Sequence, residues 1–193
     1  MSAARAPRRV LGGDSHASGL AAAAERAGVP FVAWTAYSGQ RTRTIADSEW
    51  VDRNAPTARA DEVWIVSSGN DRHADNLEPS VRSLLAQAGG RRVVWLGPPV
   101  ALVPLVDEEH AHTTEKLAEL LGPDVFIDSR RFTRSGHAPD GVHFTAAGYD
   151  AWWAGASSAA DAMRWQRHLP LAVGVGLGAL GLLAAALAVW QNR

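Results

Sequence analysis

The stretch Val10 to Leu20, VLGGDSHASGL, decides the fold. Its apolar start, its Gly12-Gly13 pair and the alanine-rich run beyond it read as a short strand, a tight turn and a helix, the opening of a βα unit. Asp14 and Ser15 stand where that helix begins. Their side-chain oxygens are of the kind that accept the unpartnered N–H groups of a first helical turn. A serine at the end of a strand has a second reading, as a nucleophile held at the mouth of a sheet, and these residues on their own leave both readings open.

The same alternation continues down the chain. Short apolar runs recur at Arg9 to Gly12, Pro30 to Ala36 (PFVAWTA), Glu62 to Ser68 (EVWIVSS), Arg91 to Gly97 (RRVVWLG) and Asp124 to Ser129 (DVFIDS). Near-continuous apolar character is what strands covered on both faces require. Helical runs at Ala17 to Ala27, Leu77 to Ala88 and Glu108 to Leu121 lie between them, closed by Gly28, Gly89 and Gly122. Strands and helices in this order predict parallel pairing and a three-layer α/β/α domain.

A chain of 193 residues, 47% of them apolar, has material for one substantial core and an appendage. Its 19 basic residues against 20 acidic ones leave no electrostatic footprint for nucleic acid and no general attraction to anionic lipid. Cysteine is absent, which excludes disulfides, thiolate metal sites and a cysteine nucleophile. The start, MSAARAPRRVLGGDS, lacks the apolar stretch of a secretory signal, and Pro7 stands where one would begin, so no cleaved signal is expected.

The character changes after residue 168. Leu169 to Trp190 is 22 residues without a charged side chain, long enough to cross a bilayer as a helix. Pro170 suits a first helical turn. Trp165 and Trp190 bracket the run about 37 Å apart if it is helical, near the spacing of the two interfacial belts. The expected organisation is a folded domain over 1–168, a single transmembrane helix over 169–190 and a short tail over 191–193. Arg164 and Arg167 precede the run and Arg193 follows it. With no signal, that bias predicts a tail-anchored chain whose domain faces the cytoplasm. Gly174 and Gly178 are spaced as GxxxG and Gly181 extends the small-residue face; helix pairing and the ordinary glycine content of spans both account for them.

Ligands of open α/β sheets bind beyond the carboxyl ends of the strands. The segments at those ends are chemically consistent here. Gly13-Asp14-Ser15 comes after the first strand, YSGQRT with Gly39 after the second, and SSGNDRH with Gly69, Asn70 and Asp71 after the third; APDGVHFTAAGY, with Asp140 and His143, lies near the end of the domain. A serine hydroxyl needs an imidazole to take its proton, and the imidazole needs a carboxylate to fix its tautomer and steady its charge. Ser15, His143 and Asp140 suit those roles, the last two being presented by one turn at Pro139 and Gly141. The backbone N–H groups of Ser15 and Gly39 and the Asn70 amide suit an oxyanion.

In order and in kind these blocks resemble those of the SGNH hydrolases, the GDSL-type esterases and lipases. The matching residues are GDSH at Gly13 to His16, Gly39, GND at Gly69 to Asp71 and DGVH at Asp140 to His143. The resemblance runs from about Arg9 to Trp153, and FTAAGY looks like the start of the family's last helix. It implies a flavodoxin-like sheet of five parallel strands between helices. It also implies Ser15, Gly39, Asn70 and His143 as the four named site residues, with Asp140 as the acid of the triad. The implied reaction is hydrolysis of a small-molecule, lipid or acylated glycan ester through an acyl-serine, without metal or organic cofactor. Two features depart from the pattern: His16 stands where leucine is commoner, and the domain is short, with little room for a lid.

The other candidates have plainer readings. His16, His73, His110, His112 and His137 lack carboxylates at ligand spacing and read as solvated surface. Trp152 and Trp153 read as packing the last helix on the sheet or approaching the membrane, with a substrate platform as the alternative, and Arg41 and Arg43, placed near Gly39 where they could receive an anionic substrate, read as solvated. LGGDSHASG lacks the Gly-Lys-Ser/Thr ending of a nucleotide loop. Two other classes stay open on the residues alone: a membrane-tethered binding module of the same fold without catalysis, and a virion or envelope-assembly component in which hydrolysis is secondary.

Overall fold

The computed structural model describes residues 5–67, 69–71 and 77–166. The chain divides into two units, Met1–Ser157 and Ser158–Arg193. The described part of the second is the continuation of the last helix. Five parallel strands, β1 (Arg9–Gly13), β2 (Ala33–Ala36), β3 (Glu62–Val66), β4 (Arg92–Leu96) and β5 (Phe126–Ile127), form one sheet in the order β2-β1-β3-β4-β5. Val10 lies opposite Ala33 on one side and Val63 on the other. The helices are α1 (His16–Arg26), α2 (Thr42–Asp47), α3 (Trp50–Thr57), α4 (Leu77–Ala88), α5 (Pro104–Leu121) and α6 (Ala146–Gln166).

This is the expected flavodoxin-like order, and handedness explains its layers. Parallel crossovers are right-handed, so reversing direction after β2 sends α1 to one face of the sheet and α2 to α5 to the other. Alternation along the strands then supplies both cores. Val10, Val63, Ile65, Val93 and Trp95 meet Trp50, Val51, Leu84 and Leu117 on the second face. On the first, Trp64 meets Trp153 of α6 and Phe31, with ring centroids 5.2 and 5.9 Å away. Trp152 and Trp153 are both buried, as their packing role requires.

The glycine pair of the opening stretch is a packing requirement. Trp50 lies over Gly12, and a Cβ at Gly13 would run into the Val66 carbonyl. At the opposite, amino end of the sheet the buried Glu62 accepts from Arg9 Nε at 3.0 Å, Arg92 Nη1 at 2.6 Å and Trp64 Nε1 at 3.2 Å. One carboxylate thus ties β1, β3 and β4. A buried charge persists only when paired and hydrogen-bonded in this way.

Several elements differ from expectation. The strand expected over Pro30 to Ala36 begins at Ala33, because Phe31 turns inward to the tryptophans. It is an edge strand, covered on one side only, with Trp34 51% exposed. Helices α2 and α3 lie in a segment with no expected element. Their buried residues, Thr42, Ile45 and Ala46, then Trp50, Val51 and Ala55, belong to two short helices broken at Glu49, whose φ is 52°. Helices this short owe their stability to packing and leave no long periodic pattern. Helix α5 begins at Pro104, a turn before the expected Glu108, with proline in the first helical turn.

Among the described residues no helix is long and apolar enough to cross a membrane. The span expected over 169–190 and the tail over 191–193 lie outside the described residues, as does His73.

Candidate active site

Ser15 stands between β1 and α1, in the position preceding the first helical residue. Its hydroxyl does not cap the helix. That role falls to Asp14, whose Oδ1 accepts from the His16 N–H at 3.0 Å. Of the two oxygens expected to compete for the first turn, the buried one takes it and Ser15 Oγ is left to face outward.

It faces His143. Ser15 Oγ lies 2.9 Å from His143 Nε2, and His143 Nδ1 lies 2.7 Å from Asp140 Oδ2. The carboxylate accepts the Nδ1–H, which leaves Nε2 as the acceptor of the serine proton. Asp140 Oδ1 also accepts the N–H groups of Val142 at 3.0 Å and His143 at 2.9 Å. The hydrogen bond from the His143 ring, then these two N–H groups, hold the Asp140 carboxyl well below the usual range. The loop itself is closed by Ala138 N–H on His143 O at 2.8 Å, and Leu102 N–H reaches Gly141 O at 2.7 Å.

The other two blocks arrive from β2 and β3. Gly39, with φ 71°, makes the left-handed step in a turn closed by Gln40 N–H on Tyr37 O at 3.0 Å. Asn70 Nδ2 lies 3.2 Å from Gln40 O, so the two blocks are joined. Asp71 holds them together from behind, accepting from Thr42 N–H at 3.2 Å and from the Thr42 hydroxyl. A cavity of about 300 Å³ opens between these strand ends, lined by Ser15, His16, Gly39, Asn70, His110 and His143 among others; among the described residues Val142 is the one aliphatic side chain in its wall. Asp14 lies buried at its floor, where burial pushes its carboxyl up to about 7 against the N–H groups of His16 and Gly69.

Two histidines expected on the surface are buried. His16 is 3% exposed, with its Nδ1 3.1 Å from the Tyr149 hydroxyl. Burial, reinforced by the neighbouring His143, pushes it down to about 3. His110 is 2% exposed. Its burial had a signal in the sequence: His110, Thr113, Thr114 and Leu117, the buried residues of α5, follow helical spacing. His137 is half-buried and donates from Nε2 to Val100 O at 2.9 Å, whereas His112, Arg41 and Arg43 are exposed as expected.

The sequence matches no family model and no curated protein. Solved structures do resemble it. The C-terminal catalytic domain of peptidoglycan O-acetyltransferase A from Streptococcus pneumoniae is 19% identical with a TM-score of 0.59, over 82% of this chain and 95% of that one. An acetylxylan esterase from Geobacillus stearothermophilus is 14% identical with a TM-score of 0.61, over 83% and 96%. A lipase/acylhydrolase from Enterococcus faecalis is 16% identical with a TM-score of 0.56, over 76% and 92%. The chain has the fold of the SGNH hydrolases, the GDSL-type acylhydrolases and esterases.

Proposed function

We propose that this chain is a serine esterase that hydrolyses carboxylic esters of small acyl groups. The observation that carries the reading is the hydrogen-bonded line from Ser15 through His143 to Asp140, opening on a cavity that also holds Gly39 and Asn70. Ser15 Oγ attacks the ester carbonyl carbon while His143 Nε2 takes its proton. The oxyanion that forms accepts from the N–H groups of Ser15 and Gly39 and from the Asn70 amide. Its collapse breaks the bond to the alcohol oxygen, which leaves with the proton from Nε2. Water then repeats the sequence on the acyl-serine and releases the carboxylic acid.

The acetyl chemistry named for two proteins of the same fold supports a small acyl group. So does a cavity wall in which Val142 is the one aliphatic side chain among the described residues. The uncharged run at 169–190 supports a single span that tethers the esterase to the membrane, and Arg164 and Arg167 before it against Arg193 after it support a catalytic unit on the cytoplasmic side. The test is turnover of nitrophenyl esters from acetyl to octanoyl by the purified chain, beside Ser15→Ala and a fluorophosphonate probe. Acetyl turnover and probe labelling that vanish together in Ser15→Ala are expected. Equal turnover by Ser15→Ala refutes the mechanism, and a preference for octanoyl refutes the acyl assignment.

A further inference from the structure

Helix α5 contributes one side chain to the floor of the site that the proposed reaction leaves unused. His110 is 2% exposed, and both of its ring nitrogens face backbone carbonyls: Nδ1 lies 2.8 Å from Pro99 O and Nε2 lies 3.0 Å from Gly69 O. A carbonyl only accepts, so this grip is complete when both nitrogens carry protons. The two carbonyls belong to different strand ends. Pro99 lies in the loop after β4, and Gly69 begins the GND block after β3.

The Gly69 carbonyl belongs to the peptide that joins Gly69 to Asn70. Holding it fixes the plane of that peptide and with it the positions of the Asn70 N and Cα, the base from which the side chain springs. The space is closed: a Cβ at position 69 would lie 3.3 Å from His110 Nε2 and 3.4 Å from Asp14 Oδ2. Asn70 itself donates from Nδ2 to Gln40 O on the far side, at 3.2 Å.

We infer that His110 is a positioning residue that clamps the Gly69–Asn70 peptide between the loops after β3 and β4 and so aims the Asn70 amide at the oxyanion. The inference rests on the esterase reading for its catalytic consequence, whereas the clamp itself is readable without substrate. An oxyanion donor works by being held where the charge develops, and a displacement of about 1 Å costs far more in rate than in ground-state binding.

Two substitutions separate aiming from mere filling of space. Glutamine places its amide nitrogen near the position of histidine Nε2, and asparagine near that of Nδ1. His110→Gln therefore keeps the donor to Gly69, while His110→Asn keeps only the donor to Pro99. In the full chain acting on nitrophenyl acetate, His110→Asn should lower kcat about tenfold or more with KM nearly unchanged, and His110→Gln should restore most of the loss. In NMR spectra without substrate, the Asn70 backbone amide should shift in His110→Asn and stay near its wild-type position in His110→Gln. The wild-type ring should carry a proton on Nε2.

Equal losses of kcat in the two variants, an unmoved Asn70 amide in His110→Asn, or a bare Nε2 in the wild-type ring each overturn the clamp. The last of these needs no variant to fold. Absence of Ser15-dependent turnover in the wild-type chain would overturn the esterase reading instead, and the spectra would still decide the clamp.

Discussion

The ring of His16 lies 5.3 Å, centroid to centroid, from that of His143. The buried ring is kept neutral, with its Nδ1 3.1 Å from the Tyr149 hydroxyl. His16→Leu, the residue commoner in the resembling family, should leave kcat within a few-fold, because a neutral ring adds no charge beside His143. It should cost the fold about 1–3 kcal/mol by leaving the buried Tyr149 hydroxyl without its His16 partner. Tyr149→Phe should recover most of that cost in the His16→Leu background and cost stability in the wild type. Equal effects of Tyr149→Phe in both backgrounds, by urea unfolding, would contradict the pairing.

Ser15, His143 and Asp140 act as one unit in the proposed reaction. Ser15→Ala and His143→Ala should each remove nearly all turnover, and the double variant should resemble the singles. Steady-state rates of the three purified proteins test this. Multiplying losses would mean that the two side chains work independently.

Asn70→Ala removes an oxyanion donor and should lower kcat by about 10²–10³, or about 2.7–4 kcal/mol, with a much smaller change in KM. If KM rises while kcat holds, Asn70 is a contact to bound substrate and the oxyanion has other partners.

Asp14 makes stability depend on pH in an unusual direction. The folded chain holds its proton up to about 7, whereas the unfolded side chain releases it near the ordinary 3.8. Through that window the folded state binds more protons, so this contribution is fully present below about pH 4 and is lost as pH rises through 7. Asp14→Asn is neutral throughout. Its stability relative to the wild type should therefore grow between about pH 4 and 7 and then level off, as read by urea unfolding at several pH values. His16 works in the opposite sense, its contribution being lost as pH falls from 6.5 toward 3, but it is common to both proteins and cancels. A difference that shrinks with rising pH would place the charge on Asp14 in the folded state.

The proposed tether has its own test. Deleting residues 169–193 should release an enzyme with unchanged turnover of water-soluble esters and no membrane association. Protease added to intact spheroplasts should spare the catalytic unit of the full chain. Digestion under conditions that leave cytoplasmic markers whole would put the unit, and its substrate, on the outer side.

The five strands and their parallel pairing were legible because each strand is a short apolar run bounded by turn residues, and the helix over Leu77–Ala88 because its inward residues recur at helical spacing. The blocks at Ser15, Gly39, Asn70 and Asp140 to His143 were legible for a related reason, since each comes after a strand or a marked turn, and the structure brings them to one cavity. Helices α2 and α3 were not, because six and eight residues carry too few turns to display a period. His16 and His110 read as surface because a lone histidine signals nothing by itself. Only the helical face on which each lies, and the partner groups brought from Tyr149, Pro99 and Gly69, make burial tolerable. Ser15 read as both cap and nucleophile, and the burial of Asp14 separates the two: the buried oxygen takes the helix and the outward one meets His143.

Ser15 comes after the first strand and His143 after the last, 128 positions apart. On the proposed mechanism neither part of the chain does anything to an ester alone. A nascent or partly unfolded chain holds a hydroxyl with no base or a base with no hydroxyl, so hydrolysis reports completed assembly of the sheet. Cleavage at an exposed loop between them, such as the turn at Gly89 and Gly90, would yield two inert halves whose reunion switches the chemistry on. The fold is in that sense a ready-made split reporter.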